Sequence, residues 1–275
     1  MAEVKKVIDV ESAIKNANSR FLRSLPKFII RLIIRIVKQD EINEVINNNS
    51  DKIGVPFING LLHDLNVKVE IIGIENIPSS GRLIFAANHP VGGMDAMAIH
   101  NMIYRVFPDI VSPANEILKN VPNVRPLMLG INVFGKNQKE IARKLNELFE
   151  SDTQIIMFPS GEVSRRKKGV ISDIVWQKSF ISKAVQHKRE IIPVFISGRN
   201  SNQFYMIANL RKFLGIKMYI ETLLLPREMM LQRNSTVTLN VGKPIPYQTF
   251  TDERTHSEWA QWVKSIVYSL PVTQK

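Results

Sequence analysis

Apolar residues follow two different periods along the chain. From about residue 67, short apolar runs typical of buried strands alternate with longer segments whose apolar positions recur every three or four residues, as in helices. We predict strands at 67–74, 83–87, 110–113, 131–134, 154–158, 190–196 and 236–241, and helices at 95–107, 139–150, 176–186 and 251–270. The last helix is expected to be capped by Thr251 or Asp252. This alternation predicts an α/β fold with a mixed, mostly parallel central sheet flanked by helices.

The N-terminal part has a helical pattern of a different kind, which predicts an amphipathic helical extension. Segment 28–37 is apolar except for two arginines, and with the flanking lysines its cations fall on one helical stripe beside a broad apolar face. A basic helix of this kind suits an anionic membrane surface, and it also suits a helix packed on the core with a solvated basic edge. The residues expected at a membrane are Lys27, Phe28, Arg31, Leu32, Arg35, Ile36 and Lys38. We therefore divide the chain into a membrane-association region, 1–60, and an α/β domain, 61–275.

Composition limits the chemistry. The 275 residues include 37 Lys and Arg against 25 Asp and Glu, a formal net charge of +12. This excess favours nucleic acid, an anionic membrane surface, or an acidic or phosphorylated substrate as partner. The absence of cysteine excludes a disulfide scaffold, a thiolate nucleophile, a cysteine zinc site and an iron–sulfur cluster. No apolar run reaches the roughly 20 residues of a membrane span, and the first residues lack a secretory-signal pattern.

The first candidate for chemistry follows the buried strand 83–87. There the chain reads Asn-His-Pro-Val-Gly-Gly-Met-Asp, and a helix is predicted to begin at its end. His89 could act as a general base and Asp95 could orient its ring, because an aspartate that accepts from one ring nitrogen fixes the tautomer of the other. Equally, His89 could be a turn residue and Asp95 a helix cap. In open α/β sheets, sites form beyond the carboxyl ends of strands, where this turn is expected.

The second candidate follows the strand 154–158. A proline and a glycine end that strand and open a loop with four consecutive cations at 165–168. Such a loop can hold a phosphate or another anion, or it can be a solvated charge run, which we favour for the last two lysines. Arg165 lies nearest the strand end. A third segment, 191–195, is an apolar strand with a proline, either a pocket wall or simply core.

In this order, these segments resemble the glycerolipid acyltransferase family, which includes the 1-acylglycerol-3-phosphate O-acyltransferases. That family carries Asn-His, four residues and Asp; then Phe-Pro-Glu-Gly-Thr-Arg-Ser; then Val/Ile-Pro-Val. The corresponding blocks here are Asn88-His89…Asp95, Phe158-Pro159-Ser160-Gly161-Glu162-Val163-Ser164 and Ile192-Pro193-Val194. Segment 191–205 is similar to a branch with hemolysin-related proteins and ornithine- or glycine-lipid O-acyltransferases. The resemblance covers roughly residues 65–245.

The departures from the family pattern concern the acceptor. Five residues, not four, separate the histidine and the aspartate, and the two glycines between them should absorb the extra one. Ser160 stands in place of the block glutamate and Val163 in place of the block arginine, so that an anion contact would pass to Arg165. In the family, that glutamate and arginine help to bind glycerol phosphate; their loss favours another head group, such as an amino-acid lipid. The family's middle block is matched loosely by 130–136, with Lys136 in place of its cation.

The resemblance implies transfer of a fatty acyl group from acyl carrier protein or coenzyme A to the hydroxyl of a lysolipid, either lysophosphatidic acid or a lyso amino-acid lipid. His89 would be the base and Asp95 its partner, with no metal or cofactor. Contacts with the substrates are expected from Asn88, Gly92, Gly93, Lys136, Phe158, Pro159, Ser160, Gly161, Glu162, Ser164 and Arg165. The expected location is peripheral, on the cytoplasmic face of the bacterial inner membrane. One alternative is a non-catalytic lipid-binding protein of the same fold. A nucleic-acid-binding protein is less favoured, because no nucleic-acid-binding signature is present.

Overall fold

The structure, a computed structural model, describes residues 6–15, 23–115, 121–131, 138–216 and 219–270. Its centre is a seven-stranded sheet in the order β1-β9-β8-β2-β5-β3-β4. The strands are β1 Lys68–Ile72, β2 Leu83–Ala87, β3 Ile110–Asn115, β4 Met128–Ile131, β5 Gln154–Met157, β8 Glu190–Ile196 and β9 Thr236–Val241. Strands β8, β2, β5, β3 and β4 are parallel, whereas β9 runs antiparallel to β8 and pairs in parallel with β1. The predicted mixed, mostly parallel α/β sheet is confirmed.

Helices cover both faces of this sheet. They are α1 Val10–Lys15, α2 Lys27–Val37, α3 Gln39–Asn48, α4 Val55–Asp64, α5 Gly93–Ile103, α6 Gln138–Glu150, α7 Ser179–His187, α8 Asn202–Phe213, α9 Leu225–Met230 and α10 His256–Ser269. Side chains of β2 alternate between two cores: Leu83 and Phe85 pack with α3, α4 and α5, whereas Ile84 and Ala86 pack with α7 and α10. A strand buried on both faces has to be apolar throughout, which is why 83–87 is a continuous apolar run.

The N-terminal helices differ in how deeply they pack. Helix α4 spans residue 60, and the apolar side chains of α3 and α4 belong to the same core as the sheet. Helix α2 buries Ile30 and Val37 but leaves Phe28 70% exposed. Lys38 ends α2 in a left-handed conformation and pairs with Glu41 at 2.9 Å. Among the described helices, none combines the length and apolarity that crossing a membrane requires.

The strand predictions at 83–87, 190–196 and 236–241 match the structure residue for residue, but the last helix begins later than predicted. Its cap is Thr255, whose hydroxyl accepts from the Glu258 N–H while the Glu258 carboxylate accepts from the Thr255 N–H. This reciprocal pair satisfies two helix-end donors, which neither Thr251 nor Asp252 does. The sequence analysis also missed α3, α4, α8 and an antiparallel hairpin of β6 Arg165–Lys167 and β7 Val170–Ser172.

Candidate active site

His89 and Asp95 meet at the carboxyl end of β2, in the turn that leads into α5. The Nδ1–H of His89 donates to Oδ2 of Asp95 at 2.9 Å. The same oxygen accepts the backbone N–H groups of Val91 and Gly92, each at 2.8 Å. Asp95 is fully buried, whereas the His89 side chain is 19% exposed. Gly92 has a φ of +106°, a conformation that L side chains rarely adopt, so a glycine here accommodates the longer turn.

The hydrogen bond to Asp95 determines what His89 can do. An ionised carboxylate only accepts hydrogen bonds, so the proton of a neutral imidazole lies on Nδ1 and the lone pair on Nε2. The His89 side chain is partly exposed, so its Nε2 can take a proton from a bound hydroxyl, and the buried carboxylate then stabilises the imidazolium. The pair therefore has the geometry of a general base and its orienting partner.

Phe158 and Ser164, both from the second block, lie against His89. The Phe158 ring stacks on the imidazole with centroids 4.1 Å apart and planes at 21°. The backbone N–H of Ser164 donates to the His89 carbonyl at 2.7 Å. The segment after β5 thus contacts both the ring and the main chain of the histidine, so the structure brings the two blocks together.

Asp173 accepts hydrogen bonds from two residues of this site, His89 and Ser164. The sequence analysis did not single it out. Its Oδ1 accepts from the His89 N–H at 3.2 Å and from the Ser164 hydroxyl at 2.6 Å. Its Oδ2 accepts from the Trp176 indole N–H at 2.8 Å. From α10, the hydroxyl of Tyr268 accepts the Asp173 N–H at 2.7 Å, and burial raises the pKa of this tyrosine strongly. No motif marked Asp173, because two of its partners, His89 and Tyr268, are far from it along the chain.

Short-range hydrogen bonds support the loop after β5. Pro159 precedes the turn, where the Ser160 hydroxyl donates to the Glu162 carbonyl at 2.6 Å and Gly161 adopts a φ of +67°. Val163 is buried and lies against the turn 88–95, since a Cβ added to Gly92 would be 3.5 Å from Val163 Cγ1. An apolar contact therefore occupies the position where the family has its arginine.

Arg165 belongs to a buried ion network. Its Nη2 lies 3.0 Å from a Glu162 carboxylate oxygen and 3.2 Å from Glu221. Glu221, fully buried, also receives Arg211 of α8 at 2.8 Å. A hydrogen bond with Glu162 is the main cause of a raised pKa at Tyr219. The two arginines and two glutamates compensate each other, so Arg165 is already paired, a relation that the sequence analysis missed.

Asn88 contacts β8, the strand beside β2 in the sheet, rather than the turn. Its amide donates to the Ile196 carbonyl at 2.9 Å and accepts from the Ile196 N–H at 2.6 Å, which fixes the end of β8 beside β2. Asn200 holds the turn itself, donating to the Pro90 carbonyl at 3.1 Å. Gly93 is the first residue of α5. Lys136 lies outside the described residues.

Two further features lie around this site. In the β6–β7 hairpin, Arg166 contacts Asn202 and the Tyr205 ring, whereas Lys167 and Lys168 are exposed. A cavity of about 390 Å³ opens at the opposite end of the sheet, beside Tyr104 at the far end of α5. It lies away from His89 and Asp95.

Comparison with known proteins finds similarity over nearly the whole chain. A family profile described as "Acyltransferase" matches residues 13–273. The chain is 43% identical to a "Lyso-glycine lipid O-acyltransferase" of Bacteroides thetaiotaomicron, over 96% of this chain and 97% of that protein. It is 39% identical to a protein of the same name from Phocaeicola vulgatus, over 96% of this chain and 95% of that protein.

Among solved structures, the 1-acyl-sn-glycerophosphate acyltransferase PlsC of Thermotoga maritima matches with a TM-score of 0.48 and 18% identity, covering 94% of this chain and 84% of that one. The family assignment rests on the profile and on the two relatives, and it does not depend on this structural match. They confirm the resemblance found in the sequence blocks: the chain belongs to the glycerolipid acyltransferase family and is an acyltransferase.

Proposed function

We propose that this enzyme transfers a fatty acyl group from a thioester to the hydroxyl of a lyso-glycine lipid. The observation that carries the proposal is the His89–Asp95 pair, with its Nε2 left for substrate, at the carboxyl edge of a parallel sheet. It is supported by near full-length similarity to two proteins named lyso-glycine lipid O-acyltransferase.

His89 starts the reaction by accepting the proton of the acceptor hydroxyl on Nε2. The hydroxyl oxygen attacks the thioester carbonyl and forms a tetrahedral intermediate. As that intermediate collapses, the new C–O ester bond remains and the C–S bond breaks. The imidazolium, stabilised by Asp95, returns its proton to the leaving thiolate. Transfer is direct, so the reaction needs no enzymic cysteine, metal or cofactor, in keeping with a sequence that has no cysteine.

The charge balance beside the site favours a head group without phosphate. Val163, at the position of the family arginine, is buried and apolar. Arg165, the nearest cation along the chain, is compensated by Glu162 and Glu221. A doubly charged phosphate would therefore meet no unpaired arginine in this network, and it would lose charge-assisted hydrogen bonds on leaving water. A glycine head group carries a single carboxylate charge, so its cost is smaller.

The donor and the location are part of the same proposal. The exposed Lys167 and Lys168 on the hairpin after Arg165 offer a basic edge to the phosphates of coenzyme A or to an acidic carrier protein. Helix α2 presents Phe28 and Leu32 to solvent beside Arg31 and Arg35, as expected of a helix at an anionic interface. The enzyme would lie on the cytoplasmic face of the inner membrane, with no role for nucleic acid.

The test is an acylation assay with purified protein, in which lyso-glycine lipid or lysophosphatidic acid is offered with either acyl carrier protein or coenzyme A thioesters. We expect lyso-glycine lipid to be the better acceptor and His89→Ala to abolish turnover. His63→Ala is the matched control, because the His63 side chain is 88% exposed. Equal turnover by His89→Ala and wild type would refute the mechanism. Preference for lysophosphatidic acid would refute the head-group assignment, and lipid binding without turnover would identify a non-catalytic protein.

A further inference from the structure

A second exposed apolar surface lies on α8 and the residues that follow it. Phe213 is the most exposed large apolar side chain of the described chain, at 86%. The α8 ridge, as we call this surface, consists of Met206, Leu210, Phe213, Leu214 and Ile216, all of them exposed. The first three follow helical spacing and lie on one face, since residues four and seven apart align on a helix. Nothing in the sequence analysis drew attention to it.

The opposite face of α8 is a normal core face. Phe204, Tyr205 and Ala208 are buried, and the two aromatic residues pack with Val163 beside the catalytic turn. Helix α8 is therefore apolar on both sides, and only one side is covered by the described part of the protein. An exposed ridge of large apolar side chains indicates an interaction surface.

Charge identifies the kind of partner. Residues 199–219 contain four cations and no aspartate or glutamate, and residues 16–38 around α2 contain six cations and no acidic residue. On α8, Arg211 pairs with Glu221, while Lys212 is exposed next to Phe213. Large apolar side chains beside cations, without carboxylates, are complementary to an anionic lipid surface, where the chains enter the acyl boundary and the cations meet phosphates.

The α8 ridge and α2 are joined through one short element. The 3₁₀ helix Ile220–Leu224 packs against both α2 and α8 and exposes Leu223 between them. Its Glu221 binds Arg211 of α8 and Arg165 of the hairpin. Helix α9, which contacts α2, reaches the catalytic turn at Leu225, 3.4 Å from a Cβ placed on Gly92. The 3₁₀ helix and α9 therefore connect the two apolar surfaces with the turn that carries His89.

We propose that the α8 ridge is a second membrane-contact segment, and that with α2 and Leu223 it forms one bilayer-facing surface beside the catalytic turn. The inference extends the proposed function, in which the acceptor is a membrane lipid. Two separate contacts fix the orientation of the enzyme on the bilayer, whereas a single helix leaves it free to rotate about that helix. The orientation brings the turn with His89 to the lipid interface.

The proposal is tested by co-sedimentation with vesicles of phosphatidylcholine, alone or mixed with phosphatidylglycerol, in the absence of substrates. The α8 variant is Leu210→Ser with Phe213→Ser, and the α2 variant is Phe28→Ser with Leu32→Ser. The matched control, Ile53→Ser with Tyr104→Ser, removes two exposed apolar side chains at the opposite end of the sheet. Thermal unfolding of every variant checks the fold.

We expect the α8 variant to bind mixed vesicles at least about tenfold more weakly than wild type, as the α2 variant does, because each loses two inserted apolar side chains. The control should bind like wild type. Wild-type binding by the α8 variant would overturn the proposal. Wild-type binding together with a loss of turnover only with the carrier-protein thioester would instead make the ridge a carrier-protein contact. Because sedimentation needs no catalysis, an inactive wild type would refute the proposed function and leave this result intact.

Discussion

Replacing Asp95 by asparagine tests the base mechanism most directly, because the change removes a charge and almost no volume. The amide oxygen can accept from the His89 Nδ1–H and from the N–H groups of Val91 and Gly92, as the carboxylate oxygen does now. The amide NH₂ then takes the place of Oδ1, which is buried and has no hydrogen-bond partner among the described residues. One unpaired group replaces another, so we expect the free energy of unfolding to fall by only about 1 kcal/mol.

The cost falls on catalysis instead. Asp95 is fully buried, and removing one partner of a buried ion pair typically costs about 3–5 kcal/mol. Here that cost arises only when His89 becomes an imidazolium, so it adds to the activation barrier. At about 1.4 kcal/mol for each tenfold change in rate, kcat should fall by roughly 10²- to 10⁴-fold. The KM for the acceptor should change by less than about threefold, because the side chain of Asp95 is buried away from substrate.

The measurement combines initial rates over a range of acceptor concentrations with urea unfolding of the same preparations. Asp252→Asn, at an exposed carboxylate, is the matched control and should behave like wild type. If Asp95→Asn retained more than about a tenth of the wild-type kcat, the carboxylate would not be stabilising a cationic His89. A variant that simply unfolds would show it in the urea curve.

Other parts of the site give further expectations. Asp173→Ala should lower kcat about ten- to hundredfold with little change in KM, since the backbone N–H of His89 loses its acceptor; steady-state kinetics separate the two constants. Glu221→Gln removes the carboxylate between Arg165 and Arg211, and it should lower the free energy of unfolding by about 3 kcal/mol. A urea unfolding curve identical to that of wild type would contradict the buried ion network. Gly92→Ala should lower the free energy of unfolding by about 1–3 kcal/mol, because residue 92 has a φ of +106° and Leu225 would lie 3.4 Å from the new Cβ. Urea unfolding of the variant and of wild type measures this difference. Burial lowers the pKa of His100. The unfolded state therefore binds more protons below about pH 6.5, and the free energy of unfolding should fall as the pH drops. His100→Gln should flatten this pH dependence in unfolding measurements on both sides of about pH 6.5.

The elements predicted best are those whose pattern is dictated by burial. Strands β2, β8 and β9 match their predicted bounds, because a strand in the middle of the sheet must be apolar on one or both faces. Helix α8 was missed for a related reason. Both of its faces carry apolar side chains, so no polar stripe reveals a helical period, and only the fold shows which face is covered.

The site residues also fall into those that the sequence indicated and those that it did not. The Asn-His and Phe-Pro blocks were recognisable because a strand, a tight turn and a helix place their residues locally, and the structure brings His89, Asp95 and Phe158 together as expected. Asp173, Glu221 and Arg211 carried no signal, since each acquires its role from partners far away in the chain. The interpretation of Arg165 as an anion-binding residue was reasonable from its position, but it did not include the two carboxylates that already pair with it.

The sequence by itself determined the class of fold, the family and the candidate turn with His89 and Asp95, because these depend on local periodicity and on residues close together along the chain. Only the tertiary structure decided which charges are compensated and which apolar faces stay uncovered, including Phe28 of α2 and Phe213 of α8. The physical reason is that burial and ion pairing are relations between distant segments. The sequence of one segment shows which kinds of contact its side chains could make. Which of these contacts form depends on the segments that pack against it.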